Sequence, residues 1–436
     1  MTKCNNSRIR FPGIQHKRVE IAFDGGSVTS DGGGILLREA DRRQGLLKRV
    51  AHALGDGRQS GKCEHTALHV LRQRVFGLAL GYEDLVDHDS LRHDPAFQTF
   101  VGRESPLASS STLSRFENAQ GRRTAVAINT ALVEHFVASF KKPPKELVLD
   151  FDTKASVVHG KQEGRFFHGH YDEYCMLPLY VFCGRHLLVA YFRPSDWDNA
   201  LHSGSVLKLL VRRFRQAWPD VRVVFRADSG FCRPWLLSWC DRNDVEYIVG
   251  LAKNPVLLRL GAKAMEKARR RYLRDDKKSR AFDHFRYAAR TWKRSRRVII
   301  RAEHGSQGAN PRFVVTSLRG RGKTLYEDVY CARGEAENRI KEQVALFCDR
   351  ISAHRWWANQ FRILLSALAY TLIEGLRSIA FHGTSFPQAQ PETLRCKLFK
   401  IGAVITRNTR RVVFHMSSSY PWQRDFRRIA AAFSTA

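Results

Sequence analysis

Residues 145–160 read KELVLDFDTKASVVHG. Leu147, Leu149 and Phe151 alternate with Val148, Asp150 and Asp152, the period of a β-strand, so both aspartates fall on one face. Two like charges on a core strand are costly unless something cationic holds them. The stretch therefore predicts a strand that delivers a pair of carboxylates to a place where positive charge is supplied.

Further strand patterns lie outward from it, at 173–184, 186–194, 221–228 and 245–252, and a helical pattern at 202–218 falls between the third and fourth of the five. Three neighbouring strands, a helix, then a strand ending in an acid, Asp228, is the order of a ribonuclease H-like α/β core. The break KKPPKE at 141–146 opens this half of the chain. Residues 1–140 are expected to form a mostly helical N-terminal DNA-binding region. Residues 141–253 are expected to form the first part of this core, and 254–320 a basic β-rich insertion. Residues 321–384 form the second part of the core, and 385–436 a basic C-terminal tail.

The chain of 436 residues carries 73 Lys and Arg against 42 Asp and Glu, a net charge of +31, which calls for a polyanionic partner. Nucleic acid fits better than a membrane surface, because the basic residues are spread along the chain and no amphipathic anchor stands out. Nine cysteines with no Cys-x-x-Cys pair read as free thiols of a reducing compartment. The start lacks an apolar run of signal-peptide type, and the longest apolar run, 363–373, is too short to span a bilayer. A soluble, cytoplasmic protein with no membrane partner is expected. The glycine clusters in IAFDGGSVTSDGGG lack a following Gly-Lys-Ser/Thr and read as turns.

Around SPLASSSTLSRFENAQ, 105–120, Ser110, Ser111 and Thr112 are candidate N-caps of a short helix. As the second helix of a helix-turn-helix it would turn Ser114, Arg115 and Asn118 to DNA; as a plain helix it would pack Leu113 and Phe116 inward. The stretch 259–301 mixes basic clusters with aromatics, either a surface for phosphates and bases or a solvated charged face. Asp228 ends an apolar strand where α/β sheets place ligands, though Asp before Ser-Gly is also a common turn cap. Arg333, Glu337 and Lys341 stack at i, i+4 and i+8, which is either a site or a surface ion-pair ladder. Together the acids suit hard divalent ions, Mg²⁺ or Mn²⁺, two of which can activate a water or a 3′-hydroxyl and stabilise the leaving oxygen. His159, His168 and His170 flank a Gly-rich turn with no cysteine partner, and are expected to serve a DNA-facing hairpin rather than zinc.

A resemblance covers nearly the whole chain, about 20–425. It is carried in order by YEDLVDHDSLRHDPAF, PLASSSTLSRFEN, VHGKQEGRFFHGHYDEYCMLPLYVFCG, FRADSGF, YIVGLAKN, YCARGEAENRIKEQ, HRWWANQFRILLSALAYTLIEGLR and LFKIGA. The sequence resembles a DDE transposase of bacterial insertion sequences, of what is called the thirteen-eighty family, in the group whose β-strand domain interrupts the catalytic fold. Its Tyr-x₂-Arg-x₃-Glu signature fits Tyr330, Arg333 and Glu337.

The resemblance implies Asp152, Asp228 and Glu337 as catalytic and metal-binding acids for two divalent ions, with Asp150 beside them as a further ligand or supporting acid. It implies Tyr330, Arg333 and Lys341 on the DNA backbone. It also implies cleavage at terminal inverted repeats, transfer into double-stranded target DNA, and a homodimer working at the bacterial nucleoid. Two positions depart from the family: Val344 stands where a Lys is common, and Thr153-Lys154-Ala155-Ser156 replaces a run rich in Thr and Asp. Lys154 either grips a phosphate or marks a copy reduced to binding DNA.

Overall fold

The computed structural model describes residues 8–56, 58, 61, 63–169 and 171–434. The chain start with Cys4, and His170, lie outside the described residues. The chain divides into two compact units, Gln120–Ala367 and Met1–Ala119 with Leu368–Ala436.

The unit Gln120–Ala367 is built on one mixed sheet. Its strands in chain order are β1 (Glu146–Thr153), β2 (Leu179–Cys183), β3 (His186–Tyr191), β4 (Arg222–Ala227), β5 (Glu246–Leu251), β6 (Ser279–Tyr287), β7 (Arg296–Gly305) and β8 (Arg312–Thr316). They lie in the order β6-β7-β8-β5-β4-β1-β2-β3, with a two-residue strand, Gly308–Ala309, on β7. The centre is parallel, β1 with β4 and β4 with β5, and both flanks are antiparallel. The basic 254–320 stretch therefore contributes strands to the central sheet itself, because β8 pairs with β5 from Ile248↔Thr316 to Leu251↔Phe313.

Alternation on β1 is realised. Leu147, Leu149 and Phe151 join the larger core with Val223, Phe225 and Val249. Val148 faces the other side, toward Val224, Ile248, Val314, Leu325 and Tyr326. Asp150 and Asp152 lie further along that second side, at 2% and 7% exposure. The pattern over 173–184 is broken at Leu177-Pro178, and its first half, Glu173–Met176, joins a separate small sheet with Ser156–Val157 and Phe166–His168. Proline has no amide hydrogen for a ladder, so one strand cannot run through.

The other unit holds the helices Ile35–Gln44, Leu46–Leu54, Ala67–Leu80, Pro95–Val101 and Ser110–Asn118. Gly45, at φ +63°, splits what reads in sequence as one helix. Residues 385–436 are part of this unit: strand Ala403–Arg407 pairs with Val412–Met416 on one edge and Val28–Thr29 on the other. Helix Trp356–Ala380 is long and apolar enough to cross a membrane: an 18-residue stretch of it has mean hydropathy 1.4, and 78% of that stretch is buried inside the protein. The eight described cysteines are free thiols.

Candidate active site

Strand β4 lies parallel to β1 with Arg226 beside Asp150 and Ala227 beside Phe151. The guanidinium of Arg226 takes both Asp150 oxygens, Nε to Oδ1 at 2.5 Å and Nη2 to Oδ2 at 2.7 Å. Its Nη1 donates to the Val329 carbonyl at 2.5 Å. Asp150, expected as a further metal ligand or a supporting acid, has both carboxylate oxygens engaged by a guanidinium fixed on the neighbouring strand.

Two residues beyond this pairing, Asp228 and Asp152 stand at the carboxyl ends of two adjacent parallel strands, where α/β sheets hold their ligands. Asp228 also caps the turn Ser229–Phe231, its Oδ1 accepting from Gly230 N at 2.8 Å. The turn-cap role is thus realised, at the strand end where the sequence places a candidate ligand.

The third acid arrives on a helical run that changes pitch twice. Leu325–Tyr330 winds as a π-helix, Cys331–Arg333 as a 3₁₀ turn and Gly334–Ala345 as an α-helix. Irregular pitch of this kind is frequent at functional sites. Arg333 donates from Nη1 to Asp152 Oδ2 at 2.9 Å and from Nη2 to Glu337 Oε1 at 2.5 Å. Glu337 is otherwise exposed, and Lys341 is exposed one turn on.

Tyr330 is half-buried, its ring 5.4 Å from that of Tyr326. Its hydroxyl lies 2.7 Å from where a Cβ on Gly250 would stand, and Ser229 N is as close on the same side. Only glycine at 250 lets β5, the Asp228 turn and Tyr330 meet.

Burial pushes the Asp152 carboxyl up to about 6; Arg333 opposes the shift, and the negative charges of Asp228 and Glu337 add to it. Burial raises Asp150 too, against the opposing pull of Arg226. Burial alone would lower Arg333, but Asp152, Tyr330, Glu337 and Asp228 carry it above the ordinary arginine value. Burial takes the Tyr330 phenol up to about 12.

Residues 11–436 match the family described as transposase DDE domain group 1. The chain belongs to the DDE transposase domain family. No curated protein matches it. One similar solved structure is piggyBac transposase in a synaptic complex with hairpin DNA. It is 10% identical over 84% of this chain and 79% of that one, with a TM-score of 0.42, a likeness too loose to carry weight here.

In this DDE transposase the donors are carboxylate oxygens, the type that hard divalent cations take. The upward shift of Asp152 is the condition a bound dication relieves. The residues therefore fit such an ion in kind. Among the described residues no group of three or more His, Cys, Asp or Glu is gathered as a metal site, and Arg333 is the cation that bridges Asp152 and Glu337.

The remaining expected residues fall elsewhere. Lys154 is exposed, and its charge is felt at Cys348. Arg115 and Asn118 belong to the other unit, on a helix capped by Ser109 rather than by Ser110, Ser111 or Thr112. That helix packs Leu113 and Phe116 inward; Arg115 is exposed and bonds Thr112, while Asn118 bonds the Ser114 carbonyl. Arg226 and Gly250 escaped the sequence reading. Both carried a signal: a charge inside an apolar strand needs a buried partner, and a glycine inside a strand marks a close approach.

Proposed function

We propose that this chain is the transposase of a bacterial insertion sequence of the thirteen-eighty family, with a ribonuclease H-like core, cleaving DNA at transposon ends and joining it to target DNA. The observation that carries this reading is the convergence of Asp152, Asp228 and Glu337 from two parallel strand ends and one helix, within a family whose domain spans the chain. Asp152 and Asp228, with Glu337, are the residues to hold divalent ions, and Asp150 supports them from its pairing with Arg226. When bound, such ions supply a Lewis acid at the scissile phosphate and a low-pKa nucleophile. The chain's own part is positional. Arg226 fixes the first strand pair, Gly250 admits Tyr330 beside the Asp228 turn, and Arg333 holds Asp152 and Glu337 together and offers a guanidinium to the DNA backbone. The protein would act as a homodimer on paired ends in the cytoplasm.

Purified protein with a labelled terminal-repeat duplex, Mg²⁺ or Mn²⁺ and target plasmid tests this. Joined product is expected. Cutting without joining would make it a plain nuclease, and binding alone a decayed transposase, the alternative raised by Lys154-Ala155-Ser156 after the first acids. Full cleavage by Asp228→Ala or Glu337→Ala would overturn the site.

A further inference from the structure

Between β1 and β2 the chain forms the small sheet Ser156–Val157, Phe166–His168 and Glu173–Met176, with the last in the middle. It leaves the main sheet at the acid end. Ser156 is four residues past Asp152, and Met176 is four before Tyr180, which pairs with Asp152. At about 3.3 Å per residue, its root stands within roughly 13 Å of Asp152.

Its root is anchored. Cys175 and Met176, at the end of the strand nearest the main sheet, are fully buried. Ser195 Oγ donates to the Phe166 carbonyl at 3.0 Å. The preceding loop is clamped by Glu163 N to the His354 carbonyl at 3.0 Å and by Trp356 N to Glu163 Oε2 at 2.9 Å. Gly164, at φ +78°, brings that loop against the Trp356 ring.

The outer end is different. Phe167 and Tyr174 face each other across the strands, 54% and 47% exposed, with ring centroids 5.6 Å apart and edge to face. The Arg165 guanidinium lies 4.7 Å over the Tyr174 ring. At the tip, the His168 and Tyr171 rings are 4.8 Å apart. Packing does not account for large rings left half in water on so firm a support. Asp172 and Glu173 are exposed at the tip and repel phosphate, so this face suits a base rather than a backbone. Arg165 at the root, and exposed Lys161, suit the phosphate that flanks such a base.

We infer that Phe167 and Tyr174, with Arg165, form a stacking platform for an unpaired nucleobase of a DNA strand held at the acids. This rests on the DNA-acting reading above. Aromatic faces accept any base, at a cost on removal that corresponds to about 5- to 150-fold in affinity per base. Both rings are pre-placed by the anchored strands, so little ordering is needed on binding.

The test uses the full chain with two probes, a short single strand containing 2-aminopurine and a blunt duplex. The pair Phe167→Ala and Tyr174→Ala should weaken single-strand binding about 5- to 150-fold, change the 2-aminopurine emission of the complex, and leave duplex affinity and the melting temperature unchanged. Tyr174→Trp alone should retain both binding and emission. Each ring is about half exposed, so the single variants Phe167→Gln and Tyr174→Gln serve if the pair does not fold. Variants that bind the single strand and shift its emission as the unaltered protein does would overturn the platform while leaving the transposase reading intact. Failure of the unaltered protein to bind either probe would remove both.

Discussion

Asp150 and Asp152 are the same residue type, two positions apart on one strand face, yet they hold opposite stations. Asp150 is closed: both its oxygens are taken by Arg226, rooted on the adjacent strand and tied on its far side to Val329. Asp152 shares Arg333 with an exposed glutamate on a helix and stands beside a third acid. A carboxylate with a dedicated partner stiffens a sheet. A carboxylate whose partner is shared and placed on another element can exchange that partner for a substrate or an ion.

Substitutions break or sharpen this contrast. The largest expected effect is on cleavage: Asp228→Ala and Asp152→Ala should lower it by several orders of magnitude in the labelled-duplex assay, while gel-shift affinity for DNA persists. Asp150→Asn should leave measurable cleavage. Next is stability. Arg226→Ala strands a buried carboxylate and should cost about 3–5 kcal/mol in denaturant unfolding, whereas replacing both partners by apolar residues of similar volume should recover most of it.

The Asp152 station should announce itself in pH. Its carboxyl sits at about 6 when folded against an ordinary 3.8. Below the lower value both states are protonated and the group is neutral toward folding. Above about 6 the buried charge costs stability, reaching about 3 kcal/mol. Asp152→Asn should therefore be more stable than the unaltered protein at pH 8, with the gain fading between pH 6 and 4. Cleavage by the unaltered protein should fall as pH drops through about 6, because a protonated carboxyl is a poor ligand for a hard cation.

Gly250→Ala pushes a methyl against Tyr330 and the Asp228 turn; it should cost about 1–3 kcal/mol and depress cleavage more than DNA binding. The smallest effect is expected at Lys154. As an exposed residue it should change stability by less than about 0.5 kcal/mol on Lys154→Ala. If Lys154 meets a phosphate, the salt slope of binding falls by about one.

Strong local signals in the sequence survived folding. The alternation of Leu147, Leu149 and Phe151 gives β1, and Arg222–Ala227 lies inside the strand expected at 221–228. What did not show was partnership across elements. Nothing in LDFD says that Arg226 sits beside Asp150 rather than beside Asp152, because that depends on the register of two strands far apart in sequence. Nothing in RFVVTSL says that it pairs with β5 and so joins the basic stretch to the main sheet. The tail expected at 385–436 is one such case: a strand is legible in VVFHM, but its place beside Ala403–Arg407 and, through it, Val28–Thr29 is not. At the site, Arg333 over Glu337 was legible from helical spacing, and the reach of Arg333 to Asp152 was not.

The π-wound run Leu325–Tyr330 has a mechanical corollary. A π turn holds one residue more than an α turn needs, so it stores a unit of slack in the shaft that carries Arg333 and Glu337. Tightening that turn to α geometry would feed one residue forward and rotate everything beyond it by about 100°. Arg333 and Glu337 would turn away from Asp152 together. The winding of six residues thus sets the angle at which Arg333 and Glu337 meet Asp152.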